Sequence, residues 1–396
     1  MSKVAIVECK SYDEEAIESS LRLALNLISQ DLHENILKKL VFEDSEVLLK
    51  PNMLGSYSPD AGINTHPNII KVVAKLVKEL GGRPVIGDSP SFAIKGVEQV
   101  WEKSGFKKVA DELGIKLINF EKDGLIELDV PEATYFKKLY LAKKAKNVDV
   151  LINLPKFKTH TNTILTGAIK NLLGLVPGFL KAEFHRRAIR SSEFGVALAE
   201  ILSVIKPSLN IMDAVIGMEG DGPTAGKLRV INLLLVSTDA VALDAVFAGL
   251  VWVSPLSVPP VFAAYQKRLG EANLKKIEIV GIPLNKARLS NFILPNQSLI
   301  NKIPLPMAKI IANLVKVRPV ILEDRCTKCK LCLKGCPVKA IYLKRGRIKV
   351  NYNLCIECFC CYEFCHYYAF RLRKSFLTFI YFKILGLINK IKRLWW

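Results

Sequence analysis

The feature that most constrains the fold of this chain is its cysteines, because nine of the ten lie after residue 325. Eight of them repeat one spacing, C-x2-C-x2-C-x3-C, twice. Thiolates at this spacing are ligands for iron–sulfur clusters: a tight turn sets three sulfurs around one cubane, and the fourth departs with the next helix toward a neighbouring cluster. The spacing therefore predicts two 4Fe-4S clusters, one on Cys326, Cys329, Cys332 and Cys365 and the other on Cys336, Cys355, Cys358 and Cys361.

This module, residues 318–370, resembles the bacterial two-cluster ferredoxins, and the resemblance implies transfer of single electrons. Two residues depart from the ferredoxin pattern. His366 stands where a proline is expected, and Cys360 is an extra thiol that we interpret as a packed bystander. A pair of structural zinc sites is the alternative, since zinc also binds cysteines paired at this short spacing.

Upstream of the cysteines, short apolar runs alternate with longer amphipathic segments. The runs lie at 4–7, 47–49, 84–86, 116–118, 148–153, 210–212, 231–236 and 277–280, and the first amphipathic segment spans 14–39. This alternation predicts an α/β fold, a mostly parallel sheet with helices on both faces. Four segments follow: an α/β domain over 1–282, a connector with one short helix over 283–317, the two-cluster domain over 318–370 and a C-terminal helix over 371–396.

Polar residues gather where these predicted strands end, and ligands of open parallel sheets bind beyond the carboxyl ends of the strands. We predict catalytic roles for Lys156, Lys158 and His160, because an imidazole passes protons near neutral pH. The predicted substrate-binding residues are Lys50, Asn52, His66, Asp88, Ser89, Lys170, Asn171, Asp213 and Asp221. Lysines and helix starts suit an anion such as a carboxylate or phosphate. The alternative is that these residues are surface lysines, turn residues and helix caps.

Six phrases of this region occur in a fixed order. They are Lys-Pro-Asn at 50–52, Thr-His-Pro at 65–67, Gly-Asp-Ser at 87–89, Lys-x-Lys-Thr-His at 156–160, Lys-Asn-Leu-x-Gly at 170–174 and Gly-x-Gly-Pro at 220–223. Together they make residues 1–250 resemble the family catalogued as domain of unknown function 362. The resemblance implies an iron–sulfur protein with a redox role and supplies no substrate. The usual glycine-rich nucleotide fingerprints are absent from the sequence.

The net charge of +20 is concentrated toward the carboxyl end, where residues 371–396 hold seven Lys and Arg and no acid. This last segment has a wide apolar face and two terminal tryptophans, which is typical of a helix lying in a membrane interface. A helix packed on the large domain or on a second subunit is the alternative. No recognisable nucleic-acid fold or basic face interleaved with aromatics occurs, so we expect no nucleic-acid partner.

Neither an export signal nor a spread disulfide framework is visible in the sequence, so we expect a cytoplasmic protein, peripheral at the inner face of the membrane if the last helix binds lipid. The leading hypothesis is an oxidoreductase that passes electrons from the clusters to a small anionic substrate or cofactor in the α/β domain. The basic cluster module would meet an acidic redox partner protein. The alternatives are a non-catalytic electron-transfer subunit whose α/β domain binds a protein, and a factor that handles a metal or cluster.

Overall fold

The computed structural model describes residues 1–29, 35–90, 96–120, 122–177, 180–188, 190–295, 317–334, 336, 339–355, 361, 365 and 367–374. The chain divides into two compact units, Met1–Pro295 and Asn296–Trp396. The predicted helix of the connector, residues 307–315, and the tail beyond residue 374 lie outside the described residues, as do Cys358, Cys360 and His366. No helix in the described part of the chain is long and apolar enough to cross a membrane.

The first unit is built on one large sheet and a separate hairpin. Its strands are β1 Lys3–Glu8, β2 Glu46–Pro51, β3 Arg83–Gly87, β4 Lys116–Ile118, β5 Leu125–Asp129, β6 Lys138–Ala142, β7 Val150–Leu154, β8 Lys156–His160, β9 Ile164–Thr166, β10 Leu209–Glu219, β11 Lys227–Ser237 and β12 Glu278–Gly281. The main sheet runs in the order β12-β1-β11-β10-β7-β2-β3-β4, with β8 paired to β10 and β9. Strands β5 and β6 form the hairpin.

The sheet is mostly parallel, as predicted. From β10 through β7, β2 and β3 to β4 every neighbour is parallel, and β1 is parallel to β12. There are two exceptions, since β11 runs antiparallel to both β1 and β10, and β9 runs antiparallel to β8. Consequently β1, β2, β3, β7 and β10 all point the same way, and the chain segments that follow them emerge at one edge.

Helices cover both faces of this sheet. They are α1 Glu14–Ile28, α2 Ile36–Leu40, α3 Pro67–Glu79, α4 Val97–Lys103, α5 Phe106–Leu113, α6 Ala168–Asn171, α7 Leu180–Arg187, α8 Ser191–Val204, α9 Ala240–Leu250, α10 Pro259–Gln266 and α11 Leu284–Ala287. Alternate residues of β1 enter different cores: Val4 and Ile6 pack with α8, α9 and α10, whereas Ala5 and Val7 pack with α1, α3 and α5. Burial on both faces explains why the strand sequences are almost wholly apolar.

The predicted strands are all present, but one predicted helix is wrong. We expected a single helix over 14–39, whereas α1 ends at Ile28 and α2 begins at Ile36 with Asn35 as its N-cap. Residues 283–295, predicted as the start of the connector, belong to the first unit, and Phe292 is buried in its core.

The second unit is made of short elements around the cysteines. They are β13 Val317–Ile321, α12 Leu331–Lys334, β14 Ile341–Lys344, β15 Arg347–Val350 and β16 Phe370–Lys374. Strand β13 pairs with β16 and β14 pairs with β15, both antiparallel. Residues 371–374, predicted as the start of the C-terminal helix, instead belong to β16, because their backbone pairs with β13. The small core of this unit joins Ile341, Ile348 and Phe370 to the cysteines.

Candidate functional site

A buried ion pair lies beside the carboxyl end of β7. Lys156, the first residue of β8, places its Nζ 2.7 Å from Oδ2 of Asp213 on β10, and neither side chain is more than 1 % exposed. Tyr12, which follows β1, accepts a hydrogen bond from the same Nζ at 2.7 Å and donates one to Asp213 Oδ1 at 2.9 Å. Burial lowers the pKa of Lys156, while the carboxylate of Asp213 acts against this shift.

Tyr12 and His66 form the partly exposed side of this cluster. Their rings stack with centroids 3.7 Å apart, and the backbone N–H of His66 donates to Asp213 at 2.9 Å. Burial lowers the pKa of His66 to about 4, so the imidazole is neutral at pH 7. Because Nδ1 accepts a hydrogen bond from the Asn68 N–H at 3.2 Å, the ring proton is assigned to Nε2. His66 is therefore a neutral hydrogen-bond donor and not a cation.

A second buried ion pair joins the ends of β2 and β3. Lys50 Nζ lies 3.1 Å from Asp88 Oδ1, with side chains 0 % and 3 % exposed. Gly174 passes so close to them that a Cβ there would lie 1.8 Å from the Asp88 carboxylate, so only glycine fits. Burial lowers the pKa of Lys50 and raises that of Asp88, each opposed by the charge of its partner. Next to this pair, Ser89 accepts a hydrogen bond from Lys181 Nζ at 2.8 Å.

A chain of amide side chains connects the strand ends. Asn52 donates to Asn171 at 2.9 Å, Asn171 donates to Asn153 at 2.8 Å, and Asn153 donates to Asn210 at 2.9 Å. Lys158 joins the chain at its outer end, where Nζ donates to Asn52 Oδ1 and to the Ile63 carbonyl, each at 2.7 Å. Asn52 is partly exposed, so it lies with Tyr12 and His66 on the accessible side of the network.

His160 lies on the same face of β8 as Lys156 and Lys158, since these residues alternate along the strand. It is buried, and its Nδ1 accepts hydrogen bonds from the backbone N–H groups of Asn162 at 3.0 Å and Thr163 at 3.2 Å. Two more predicted residues are Lys170, on α6, and Asp221. Lys170 places Nζ 5.9 Å from the centroid of the Phe194 ring, and Asp221 is a half-buried loop residue after β10.

The start of α6 is held by a residue that the sequence prediction did not include. Asp244 of α9 accepts hydrogen bonds from the N–H groups of Ala168 at 2.6 Å and Ile169 at 3.0 Å. A Cβ at Gly167 would lie 2.0 Å from this carboxylate, which explains the glycine. Burial raises the pKa of Asp244 to about 7.

In the second unit, four cysteines line one cavity, and they are those predicted for the first cluster: Cys326, Cys329, Cys332 and Cys365. Cys365 comes from the other motif, so the chain folds back on itself as the crossed spacing requires. The backbone N–H of Ala369 lies 3.2 Å from Cys365 Sγ, and the N–H of Ala340 lies 3.1 Å from Cys336 Sγ. Such N–H···S contacts stabilise thiolate ligands and tune the potential of a bound cluster. The donor set therefore fits an iron–sulfur cluster.

The predicted ligands of the second cluster are only partly described. Cys361 is buried, and Cys336 and Cys355 are half-buried. Cys361 and Cys336 pack in the same small core as Cys332 and Cys365. Two predicted cluster sites thus share one core of the second unit.

Comparison with known proteins assigns the first unit. The sequence model described as "Domain of unknown function (DUF362)" matches residues 47–249. The chain belongs to this family. The thylakoid-associated protein of Synechocystis sp. is 35 % identical to this chain over 271 residues, which are 68 % of this chain and 80 % of that protein.

The DUF362 region is joined to a second matched domain. A model described as "4Fe-4S dicluster domain" matches residues 318–366. The ketoisovalerate oxidoreductase subunit VorD of Pyrococcus furiosus is 44 % identical over 39 residues, 10 % of this chain and 37 % of that subunit. Among solved structures, a Thermotoga maritima protein aligns with a TM-score of 0.38 and 13 % identity over 66 % of this chain and 59 % of its own. A likeness this low says nothing about function.

The expectation that site residues follow the ends of parallel strands predicted most residues of these contacts, but it did not include Tyr12. This tyrosine lies four positions after β1, whose carboxyl end emerges at the same edge as those of β2 and β7. The same expectation applied to β1 would have identified it. The structure brings Lys50, Asn52, His66, Asp88, Lys156, Lys158, Asn171 and Asp213 into a connected or adjoining set of contacts. It places Lys50, Lys156 and Lys158 inside the protein, with Asn52, His66 and Tyr12 nearer to solvent.

Proposed function

We propose that this protein is an iron–sulfur oxidoreductase that exchanges single electrons between two 4Fe-4S clusters and a small anionic substrate or cofactor in the DUF362 unit. The observation that supports it most is the four-cysteine cavity, to which both motifs contribute. The clusters would supply one electron at a time. The assignment of Cys336, Cys355, Cys358 and Cys361 to the second cluster is part of the proposal.

In the DUF362 unit the ligand would meet the rim formed by Asn52, His66 and Tyr12. There the neutral His66 would donate a hydrogen bond through Nε2, and Asn52 would hold the ligand in front of the Lys158 ammonium. Lys156 and His160 lie deeper, where they would set the charge and proton balance of the rim. A buried, preorganised set of donors suits charge that develops on a substrate oxygen during reduction.

The test starts with anaerobic purification, iron and acid-labile sulfide analysis, and mass spectrometry of small molecules that co-purify. Asn52→Asp is the decisive change, because its carboxylate keeps an acceptor for Lys158 but repels an anion at the rim. We expect this variant to lose the bound anion and substrate turnover while it keeps its iron. The control Lys107→Ala, on the exposed face of α5, should retain both. Unchanged ligand content and activity in Asn52→Asp would refute the site, and zinc in place of iron would refute the redox function.

A second candidate is favoured by the burial of the lysines. Lys50 and Lys156 each contact a buried carboxylate at 3.1 Å and 2.7 Å, which is also what a purely structural network requires. In that case the DUF362 unit binds a protein partner, and the chain is an electron-transfer subunit. A stable complex with a redox protein, together with full electron transfer in Asn52→Asp, would favour this candidate.

We also propose that the protein works at a membrane surface through residues 375–396, the part of the predicted C-terminal helix that follows β16. The support is the amphipathic pattern of that segment and the name of the thylakoid-associated relative. Flotation with anionic liposomes compares the full chain with a chain that ends at Lys374, which keeps β16 intact. Equal flotation of the two would refute membrane binding by this segment.

A further inference from the structure

The cavity lined by the four cysteines is exposed to solvent at one of its predicted ligands, Cys329. Residues 327–330 are all exposed, and Cys329 is the exposed member of the seven predicted ligand cysteines that the structure describes. Cys332 and Cys361 are buried, and the other four are half-buried. A cluster held in this cavity would therefore come nearest to solvent at Cys329.

Two lysines stand on either side of this ligand. Lys328 and Lys330 are exposed and line the same cavity. In the described part of the unit, Glu323 pairs with Arg347 and Asp324 with Arg325, and no described carboxylate lies within ion-pairing distance of either lysine. The positive charge at the mouth of the cavity is thus directed to solvent.

We propose that Lys328, Cys329, Lys330 and the exposed Tyr367 form a docking surface for an acidic redox protein, and that the first cluster is the one that exchanges electrons with it. The inference rests on the proposed electron-transfer function and on the acidic partner expected from the sequence, and it adds the location of the docking surface and the cluster that exchanges the electron. An acidic protein fits better than a lipid surface, because only a redox-active partner gains from lying against a cluster ligand. The partner's cofactor takes the single electron that the reduced module loses, and no bond or proton is exchanged.

Binding tests this without turnover. The oxidised, cluster-loaded full chain is titrated with an acidic flavodoxin by calorimetry at about 0.15 M ionic strength, where the Debye length is about 8 Å and distant charges are screened. Lys328→Gln/Lys330→Gln should weaken binding roughly tenfold, since two exposed charge contacts are removed. The matched control Lys344→Gln/Arg345→Gln removes two exposed charges from the β14–β15 turn, which does not line the cavity, and should change binding less than twofold. Equal losses in the two variants would overturn the proposal.

Charged reagents give the redox readout. The reduced full chain is oxidised in stopped flow by anionic ferricyanide or by cationic hexaamminecobalt(III), each of which takes up one electron. In Lys328→Gln/Lys330→Gln, the ratio of the ferricyanide rate constant to the hexaamminecobalt(III) rate constant should fall at least fivefold, and in the control variant it should stay unchanged. This difference between the two variants should vanish near 1 M salt, where the Debye length is about 3 Å. An unchanged ratio in Lys328→Gln/Lys330→Gln would refute the docking surface. So would a loss of binding to anionic vesicles in this variant while its binding to flavodoxin is unchanged. A purified chain without iron–sulfur absorption refutes the proposed function instead.

Discussion

The ion pair between Lys156 and Asp213 gives the sharpest test of the buried network. Both side chains are almost fully inaccessible, and Nζ lies 2.7 Å from Oδ2. Asp213→Asn keeps the shape of the carboxylate and removes its charge. Lys156 would then be a buried ammonium that meets only neutral acceptors, the amide oxygen of the new side chain and the Tyr12 hydroxyl at 2.7 Å.

The expected loss of unfolding free energy depends on the hydrogen bonds that Lys156 or Asp213 keeps after the other residue is replaced. Breaking a buried pair on one side costs about 3–5 kcal/mol, because a charge is left without compensation. Lys156→Met leaves the carboxylate of Asp213 with the Tyr12 hydroxyl and the His66 N–H, so its loss should lie at the lower end, about 3 kcal/mol. In the double variant no charge is stranded, and its loss should be smaller than the sum of the single losses by about 2 kcal/mol or more.

Anaerobic urea unfolding, followed by circular dichroism, measures these free energies. The control is the exposed pair on α5, Lys107 and Asp111 at 3.1 Å, for which the same two changes should cost less than about 0.5 kcal/mol. Additive losses at Lys156 and Asp213 would refute the ion pair. If Lys156→Met abolishes electron transfer to the ligand without loss of stability, the lysine acts in the chemistry and not in the fold.

Three further predictions concern single groups. Burial raises the pKa of Asp244 from 3.8 to about 7, so the folded protein keeps a proton that the unfolded chain has lost, and the free energy of unfolding should fall as pH rises from about 4 to 7, by up to about 4 kcal/mol. Asp244→Asn should remove this fall in urea midpoints. The imidazole of His66, with a pKa of about 4, should show no titration between pH 6 and 8 by NMR; a shift in that range would contradict its burial. Cys365→Ser should halve the iron content, with Cys9→Ser as the unchanged control, because the crossed arrangement assigns Cys365 to one cluster only.

The sheet was predictable because its strands are buried on both faces. Runs of the central strands such as 4–7 and 47–49 have no polar side to place in solvent, so their burial needs no knowledge of distant residues. Strand β8 was not predicted, since Lys-Phe-Lys-Thr-His has the composition of a loop. It forms a strand because β9 and β10 pair with its backbone and Tyr12, Asn52 and Asp213 satisfy its polar face.

Most of the predicted site residues meet at one edge because the parallel strands end there, which the predicted alternation of strands and helices already implied. The sequence did not disclose which lysine meets which carboxylate. Lys50 pairs with Asp88 and Lys156 with Asp213, and both pairings depend on strand neighbours that the chain order hides. Because Lys50 and Lys156 pair with carboxylates inside the protein, the anion site that we propose is limited to the partly exposed residues Asn52, His66 and Tyr12.

Lysines that are central to the proposals are buried in the DUF362 unit and exposed in the second unit, so dissolved salt should affect the two units differently. In the DUF362 unit, Lys50 and Lys156 face carboxylates in places from which water is excluded, so dissolved salt screens these pairs very little. In the second unit, Lys328 and Lys330 are exposed, and their attraction for a partner falls with ionic strength. Raising salt should therefore slow electron exchange with an acidic partner while the stability of the DUF362 unit stays nearly constant. If salt lowers both the rate of electron exchange and the stability of the DUF362 unit, water and ions reach the ion pairs of Lys50 and Lys156, which contradicts their burial.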